Sequence, residues 1–400
     1  MAQAFLVGGV RTPIGRYGGM LSTVRPDDLS AHVLRALVQR TGIDPSCIDE
    51  VVWGAANQAG EDNRNVARMA TLLAGLPDTV PGFTVNRLCA SGLTAVSTAA
   101  AMVASEQADV VIAGGVESMT RAPWVLAKPE TAFARPGEIV DTSIGWRFTN
   151  PALVPLDGGE ATASMPETAE KVARVEGISR ADSDAFAARS HDRALAAIAG
   201  GRFADEIAPL TIRTRKGETV FDTDEGPRPG STVEVLAGLR PVVTGGSVVT
   251  AGNASSLNDG AAAVLVASER AIERFGLMPR ARVAASAAVG VAPSVMGMGP
   301  IPATRKVLDR VGWSVDELGS IELNEAFAPQ ALACVRGLGL DPEVVNNDGG
   351  AIALGHPLGC SGTRILVTLL GRMEREQTRR GLATLCVGVG QGAAMLVEAL

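Results

Sequence analysis

Cys89 sits in Asn86-Arg87-Leu88-Cys89-Ala90-Ser91-Gly92, after an apolar run ending in Phe83-Thr84-Val85. That run reads as the end of a buried strand. The alanine-rich stretch from about Ser91 to Gln107 reads as a helix. A thiol at such a junction meets unpaired backbone N–H groups and the positive end of the helix dipole, which favour a thiolate. Ser91 offers a capping hydroxyl, and Gly92 permits close backbone approach. The same pattern also suits a small packing cysteine, so residues far downstream decide the chemistry.

Three stretches complete a possible reaction centre. They are Leu323-Asn324-Glu325-Ala326-Phe327, Gly349-Gly350-Ala351-Ile352-Ala353-Leu354-Gly355-His356-Pro357-Leu358-Gly359-Cys360-Ser361-Gly362, and Cys386-Val387-Gly388-Val389-Gly390-Gln391-Gly392. A nucleophilic thiol wants an imidazole to take its proton. A second thiol can give and take protons. Glycines let backbone N–H groups point at a developing oxyanion.

The elements that must position these groups form a repeat. Leu37-Val38-Gln39-Arg40-Thr41-Gly42 before Val51-Val52-Trp53 matches Val307-Leu308-Asp309-Arg310-Val311-Gly312 before Ile321-Glu322-Leu323, at a shift of 270. Each set reads as an amphipathic helix, a glycine stop and a buried strand. Ser91-Gly92 falls on Ser361-Gly362 at the same shift. The strands that follow, Asp109 to Gly115 and Leu382 to Gly388, match with a register slipped by about three residues. Two copies of a βαβ-type unit, with helices on a mostly parallel sheet, are predicted. Ligands of such sheets bind at the carboxyl ends of strands. Between the halves, residues 121 to 250 carry more proline and charge and one helical pattern from about Arg180 to Ala199. They read as an inserted lid or loop domain. The predicted units are 1–120 with 251–275, then 121–250, then 276–400.

Composition narrows the classes. The chain has 400 residues, 46% hydrophobic and 20% charged, with a formal charge of −7. A nucleic-acid partner is not expected from that charge. Five scattered cysteines lack CxxC spacing, so neither a metal site nor a disulfide framework is indicated. The N-terminus has no signal-peptide pattern, no apolar run reaches a membrane span, and the C-terminal residues are no peroxisomal address. A cytoplasmic enzyme is expected.

Asn86-x-x-Cys89-x-Ser91-Gly92, Asn324-Glu325-Ala326-Phe327, Gly355-His356-Pro357-x-Gly359 and Cys386-x-Gly388-x-Gly390 resemble the four signature blocks of the thiolases, in order and over the full length. The resemblance implies the thiolase fold, an α/β protein whose duplicated halves form a layered α/β/α/β/α core with an inserted loop domain. It implies that Cys89 is the nucleophile and that His356 activates it. With a water held by Asn324, His356 would also stabilise the acetyl-CoA enolate. Cys386 would be the acid/base, and the N–H groups of Cys89 and Gly388 the oxyanion hole. Arg228 resembles the family residue near the coenzyme A nucleotide, and Ser255 the one bonding the pantetheine. Ala251 and Ala326 fall in matching landmarks, and Met165 and Phe327 resemble acyl-pocket walls. Coenzyme A would be a co-substrate with no permanently bound cofactor and no metal, and a homodimer or homotetramer is expected.

Glu325, His32 and His191 read as structural, Cys47 and Cys334 as packing residues, and Cys360 as a filler near the site with a possible redox sensitivity. Ala90 and Ser164 depart from many acetoacetyl-CoA-forming thiolases. Asp141 to Phe148 and Ser164 to Ala169 resemble instead the 3-oxoadipyl-CoA and related 3-oxoacyl-CoA thiolases. A degradative, thiolytic role is expected over acetoacetyl-CoA synthesis, and Arg147 is a cation in the right loop for a carboxylate-tipped chain. A 3-oxoacyl-ACP-synthase-type enzyme would use other partners than Cys386. A non-catalytic carrier would lack one of Cys89, His356 and Cys386. A nicotinamide enzyme would carry G-x-G-x-x-G, which the Gly114-Gly115 turn lacks.

Overall fold

The computed structural model describes residues 2–214 and 217–400. The first half runs β1 (Ala4–Arg11), β2 (Gly15–Arg16), α1 (Pro26–Thr41), β3 (Glu50–Gly54), α2 (Val66–Leu73), β4 (Gly82–Val85), α3 (Ser91–Ala104) and β5 (Val110–Ser118). An insert follows with β6 (Trp124–Leu126), β7 (Ile139–Asp141), α4 (Met165–Val175), α5 (Arg180–Ala199), β8 (Leu210–Thr214), β9 (Gly217–Phe221) and α6 (Val233–Ala237). The chain returns through β10 (Asn258–Ser268) and α7 (Glu269–Phe275). The second half is β11 (Ala281–Gly290), α8 (Pro300–Val311), β12 (Ser320–Leu323), α9 (Ala328–Leu338), α10 (Ala351–Leu354), α11 (Leu358–Glu376), β13 (Arg380–Val387) and β14 (Gln391–Ala399). The helical pattern read from Arg180 to Ala199 is α5, with Ser179 capping it through a bond from the Asp182 N–H. Gly42 and Gly312, the two glycine stops, end α1 and α8 in the left-handed conformation.

Ten strands form one sheet in the order β12-β13-β14-β11-β1-β10-β5-β3-β4, with β2 on β10, while β6–β7 and β8–β9 of the insert are separate two-stranded sheets. The halves meet where β1 pairs with β11 through Phe5–Arg282 and Leu6–Ala281. Strand pairing corrects two expectations. The sheet is mostly antiparallel, and only β3–β4, β3–β5 and β12–β13 are parallel. Only those pairs are closed by helical crossovers; β13 and β14 are a hairpin, and β10 and β11 run against their neighbours. Nor does the register slip. Glu50 pairs with Val111 and Ser320 with Gly381, so the second pair sits 270 residues beyond the first. β4 is also a partly exposed edge strand, with Phe83 36% exposed, rather than the buried strand expected.

Alternating strand residues face two sides. In the first half, Val51, Trp53 and Ile112 pack against α1 and α2, while Val52, Val111 and Ala113 face α3 and α11. Leu385, Val387 and Met395 of the second half cover the other side of α3 and α11. Residues of α8 and α9 form the outermost layer on Ile321, Leu323 and Leu396. The result is the expected α/β/α/β/α layering.

The repeated Ser-Gly pairs explain the central layer. A Cβ on Gly92 would lie 2.7 Å from the Gly359 carbonyl oxygen and 2.8 Å from Thr363 N. A Cβ on Gly362 would lie 2.3 Å from Leu93 N. The two helices therefore touch backbone to backbone at equivalent glycines near their N-termini. That contact places the segments preceding them, which carry Cys89 and His356, on the same side of the core.

Candidate active site

Cys89 lies in a 3-10 turn, Leu88–Ala90, that leads into α3. Leu88 is held at φ +46°, a strained setting for a γ-branched residue. Asn86 and Ser91 hold it there. Asn86 Oδ1 accepts from Leu88 N at 2.8 Å, and Asn86 Nδ2 donates to Ala56 O at 2.8 Å. Ser91 Oγ accepts from Arg87 N at 2.9 Å and donates to Leu88 O at 2.7 Å. The motif residues thus shape the turn that presents the sulfur.

The backbone N–H groups of Gly388 and of Cys89 itself act on that sulfur in the direction of a thiolate, but burial outweighs them and pushes the thiol up to about 11. A helix N-terminus by itself would act in the opposite direction.

His356 follows Gly355, whose φ of +108° and contact with Asn258 leave no room for a side chain. The His356 N–H donates to Asn258 Oδ1 at 2.9 Å. Nδ1 lies 2.6 Å from Ser361 Oγ, and that hydroxyl donates its one proton to Pro357 O at 2.9 Å. With the hydroxyl proton donated to Pro357 O, Nδ1 carries the ring proton and Nε2 keeps a lone pair, with the Asn324 amide nitrogen 3.4 Å away. Burial, and secondarily the charge of Arg364, push His356 down to about 3. A neutral imidazole with a bare Nε2 is a proton acceptor. Asn324 Nδ2 lies 3.4 Å from both ring nitrogens, and its Oδ1 is buried with no partner among the described residues. A buried acceptor of that kind is suited to a water or a substrate group.

Cys386 ends β13, 1% exposed, packed among Met165, Ala169, Met296, Ala326 and Phe327. Burial and then the neighbouring Cys89 raise its thiol well above the usual range. The two sulfurs feel each other across the halves, and Asn324 N donates to Thr384 O at 3.0 Å on the Cys386 strand. Beyond Cys386, Val389 and Gly390 adopt φ +63° and +76°, forming a three-residue hairpin turn. A Cβ on Gly388 would touch Leu88 Cδ1 at 3.4 Å and Met165 Sδ at 3.5 Å. The insert leaves the first half between β5 and β10, the equivalent of this turn, so it emerges beside the site.

The other expected binding residues divide. Ser255 N donates to Ala326 O at 2.9 Å and Ala254 bridges to Phe327, and Ala326 and Phe327 pack with Met165 and Cys386; of these only Met165 reaches the cavity on Cys89. Arg228 and Ala251 are exposed. Arg228 N donates to His191 Nδ1 at 3.2 Å, and a Cβ on Gly226 would lie 2.2 Å from the Ala353 carbonyl oxygen. The Arg228 loop thus rests on α10, just before His356. Burial and Arg228 lower His191 to about 4, a neutral structural ring. His32 holds Ala208 O at 3.2 Å. Glu325 accepts from Ser190 Oγ, Asn346 Nδ2 and Ile352 N at 2.6, 2.8 and 3.2 Å, tying the Asn324 loop to the His356 loop.

Sequence reasoning missed the roles of Asn258 and Ser361 in fixing His356, and of Glu117. Glu117 accepts from Ala56 N, Asn57 N and Gly359 N at 2.9, 3.1 and 2.8 Å, so it joins the loops on both sides of the site. Burial pushes it up to about 7. The only sequence signal was its place after two glycines. Those glycines are not a turn, as first read, but lie inside β5. A Cβ on Gly115 would lie 2.1 Å from Gly359 O, so the strand must be bare for the His356 loop to dock. All five cysteines are free; Cys47 is partly buried, and Cys334 donates to Gly297 O at 3.2 Å. Cys360 is fully buried and pushed up to about 12, which argues against redox sensitivity. Among the described residues no cluster suits a metal, and no helix is long and apolar enough to cross a membrane.

A cavity of about 530 Å³ opens on Cys89, walled by Leu88, Trp146, Met165, Leu358 and Val389. Its size and apolar walls suit an acyl chain.

Residues 4–270 match the model of the thiolase N-terminal domain, and residues 277–399 that of the thiolase C-terminal domain. The chain is 57% identical over 399 residues to the beta-ketoadipyl-CoA thiolase of Pseudomonas aeruginosa, covering 99% of each chain. It is 54% identical over 402 residues to the 3-oxoadipyl-CoA/3-oxo-5,6-dehydrosuberyl-CoA thiolase of Escherichia coli K12, covering 100% of both. The crystal structure of the Bacillus anthracis acetyl-CoA acetyltransferase superposes with a TM-score of 0.93 at 43% identity, covering 100% of this chain and 99% of that one. Two cysteines and a histidine set by a duplicated α/β body are thus accompanied by full-length likeness to acyltransferases of one kind, and the chain belongs to the thiolase family.

Proposed function

We propose that this enzyme cleaves a 3-oxoacyl-CoA with coenzyme A, releasing acetyl-CoA and an acyl-CoA shortened by two carbons, and that 3-oxoadipyl-CoA is its substrate. His356 Nε2 takes the Cys89 proton as the sulfur attacks the keto carbon. The new oxyanion is held by the N–H groups of Cys89 and Gly388. The bond between C2 and C3 then breaks, leaving an acyl thioester on Cys89 and the enolate of acetyl-CoA. His356, with a water on Asn324, stabilises the enolate oxygen. Cys386 gives its proton to the enolate carbon, and acetyl-CoA leaves. The Cys386 thiolate takes the proton of incoming coenzyme A, whose sulfur attacks the thioester. Cys89 departs as a thiolate, recovers its proton from His356, and both groups are restored. Arg228 and Ser255 hold the coenzyme A nucleotide and pantetheine, beside Ala251, while Met165, Ala326 and Phe327 wall the pocket. Run backwards, the same steps condense two acyl-CoAs.

The observation that supports this reading most is the meeting of the Leu88–Cys89 turn of one half with Gly388, two residues beyond Cys386, of the other, together with a His356 ring held at Nδ1 by Ser361. The two beta-ketoadipyl-type relatives supply the substrate. The test is coenzyme A-dependent cleavage of acetoacetyl-, 3-oxohexanoyl- and 3-oxoadipyl-CoA, with Cys89→Ser as control. Highest kcat/KM on 3-oxoadipyl-CoA and no acyl-enzyme in the variant are expected. Preference for acetoacetyl-CoA would shift the reading to short-chain synthesis. Normal thiolysis by Cys89→Ser would remove the nucleophile.

A further inference from the structure

The cavity on Cys89 is apolar along most of its wall, yet one cation lines it. Arg147 is the only lysine or arginine among its lining residues, and the residue is partly buried. No ion pair or hydrogen bond engages its guanidinium among the described residues. Two arginines close to the Cys89 turn and to the Arg147 loop are occupied. Arg87 donates to Gln391 Oε1 at 2.9 Å and Thr94 Oγ1 at 3.0 Å, and Arg121 grips Glu61 at 2.5 and 2.6 Å. The two carboxylates lining the cavity are also occupied. Glu117 is held by three backbone N–H groups, and Glu167 accepts from Ser164 N at 2.7 Å in a capping box. Neither is paired with Arg147.

The loop bearing Arg147 is fastened. Thr142 Oγ1 accepts from Asn57 Nδ2 at 2.9 Å and donates to Pro123 O at 2.6 Å. Trp146 Nε1 donates to Ala163 O at 3.3 Å, and Gly145 at φ +88° makes the turn between these anchors. An unpaired guanidinium on an anchored loop, in a chamber that opens on the nucleophile, matches a planar anion delivered on the acyl chain.

We propose that Arg147 is a specificity residue that binds the terminal carboxylate of a dicarboxylic 3-oxoacyl-CoA. This rests on the thiolase reading above and adds the group that selects the substrate. In a six-carbon chain the carboxylate lies three carbon–carbon bonds of about 1.5 Å beyond the attacked keto carbon. The rest of the chain meets the apolar wall, so a neutral chain of equal length fits the same chamber without engaging the arginine.

The test compares 3-oxoadipyl-CoA with 3-oxohexanoyl-CoA, which has six carbons and no carboxylate, on the wild type, Arg147→Met and Arg147→Lys. Arg147→Met is expected to lower kcat/KM for 3-oxoadipyl-CoA by about 10- to 100-fold, the loss of a charged hydrogen-bonded pair, mainly through KM. Its kcat/KM for 3-oxohexanoyl-CoA is expected to stay within about twofold, because no contact with that chain is lost. Arg147→Lys keeps the charge without the fork and falls between. Equal losses on both substrates would make Arg147 structural and overturn the proposal, as would no loss on either. A wild type that cleaves 3-oxohexanoyl-CoA but not 3-oxoadipyl-CoA would refute it while leaving a thiolase. A wild type that cleaves neither would remove the thiolytic reading as well.

Discussion

Replacing Gly362 by alanine tests whether the contact between α3 and α11 sets the geometry of the site. The added Cβ would lie 2.3 Å from Leu93 N, 2.8 Å from Leu93 Cβ and 3.0 Å from Leu93 Cα. Ordinary contact begins at 3.4 Å, so the helices must part by about 1 Å. Overpacking of this kind destabilises by about 1–3 kcal/mol. Alanine in a helix offsets up to about 1 kcal/mol of that through propensity. The net loss of stability is then about 0–3 kcal/mol. Activity is expected to fall as well, because a displacement of about 1 Å between reacting groups lowers a rate by roughly 100-fold. Gly371→Ala in the same helix is the control. Its Cβ would meet only the flexible tip of Arg375, at 3.2 Å, with Arg280 and Glu206 tips at 3.9 Å. That variant should match or slightly exceed wild-type stability and keep full activity. Urea-unfolding midpoints and kcat on acetoacetyl-CoA, measured for both variants, decide the matter. If Gly362→Ala kept wild-type kcat, the idea that this crossing aligns the two halves would be sunk.

Three further outcomes are expected. Cys386→Ser should still show a burst of acyl-enzyme on Cys89 but lose at least about 100-fold in turnover, and wild-type turnover would remove Cys386 from the proton path. Ser361→Ala removes the group that keeps the proton on His356 Nδ1, so kcat/KM should drop by roughly 10- to 100-fold, with Ser361→Thr recovering most of it; equal activity in all three proteins would mean that the tautomer is set elsewhere. With Cys89 pushed up to about 11 and His356 down to about 3, both are neutral near pH 7 in the ligand-free protein. Alkylation of Cys89 by iodoacetamide should therefore keep accelerating as pH rises from about 7 to about 10, whereas a plateau near neutral pH would reveal a standing thiolate–imidazolium pair.

Much of the architecture was open to reading because it depends on near neighbours in the chain. The glycine stops after α1 and α8, the helical pattern of α5 and the strands Val51 to Trp53 and Ile321 to Leu323 are set by backbone conformation and side-chain period. The constant shift of 270 was visible for the same reason. Strand direction was not, since a mixed sheet and a parallel one share similar apolar runs. The apparent slip near Val110 came from matching residue types alone, and hydrogen-bonded register removed it. Gly114-Gly115 was mistaken for a turn because glycine inside a strand has meaning only once the Trp53 ring and the Gly359 carbonyl press against it.

The groups proposed to react belong to the sequence: two thiols, an imidazole, an amide and glycines, each in a motif whose local pattern suits its place. Their electrical state belongs to the tertiary structure. A helix N-terminus favours a charged sulfur at Cys89, yet burial by segments drawn from both halves holds the thiol neutral. The same enclosure keeps His356 neutral, and Ser361 decides which nitrogen is bare. Desolvation depends on every atom that excludes water from a site, and those atoms come from parts of the chain hundreds of residues apart.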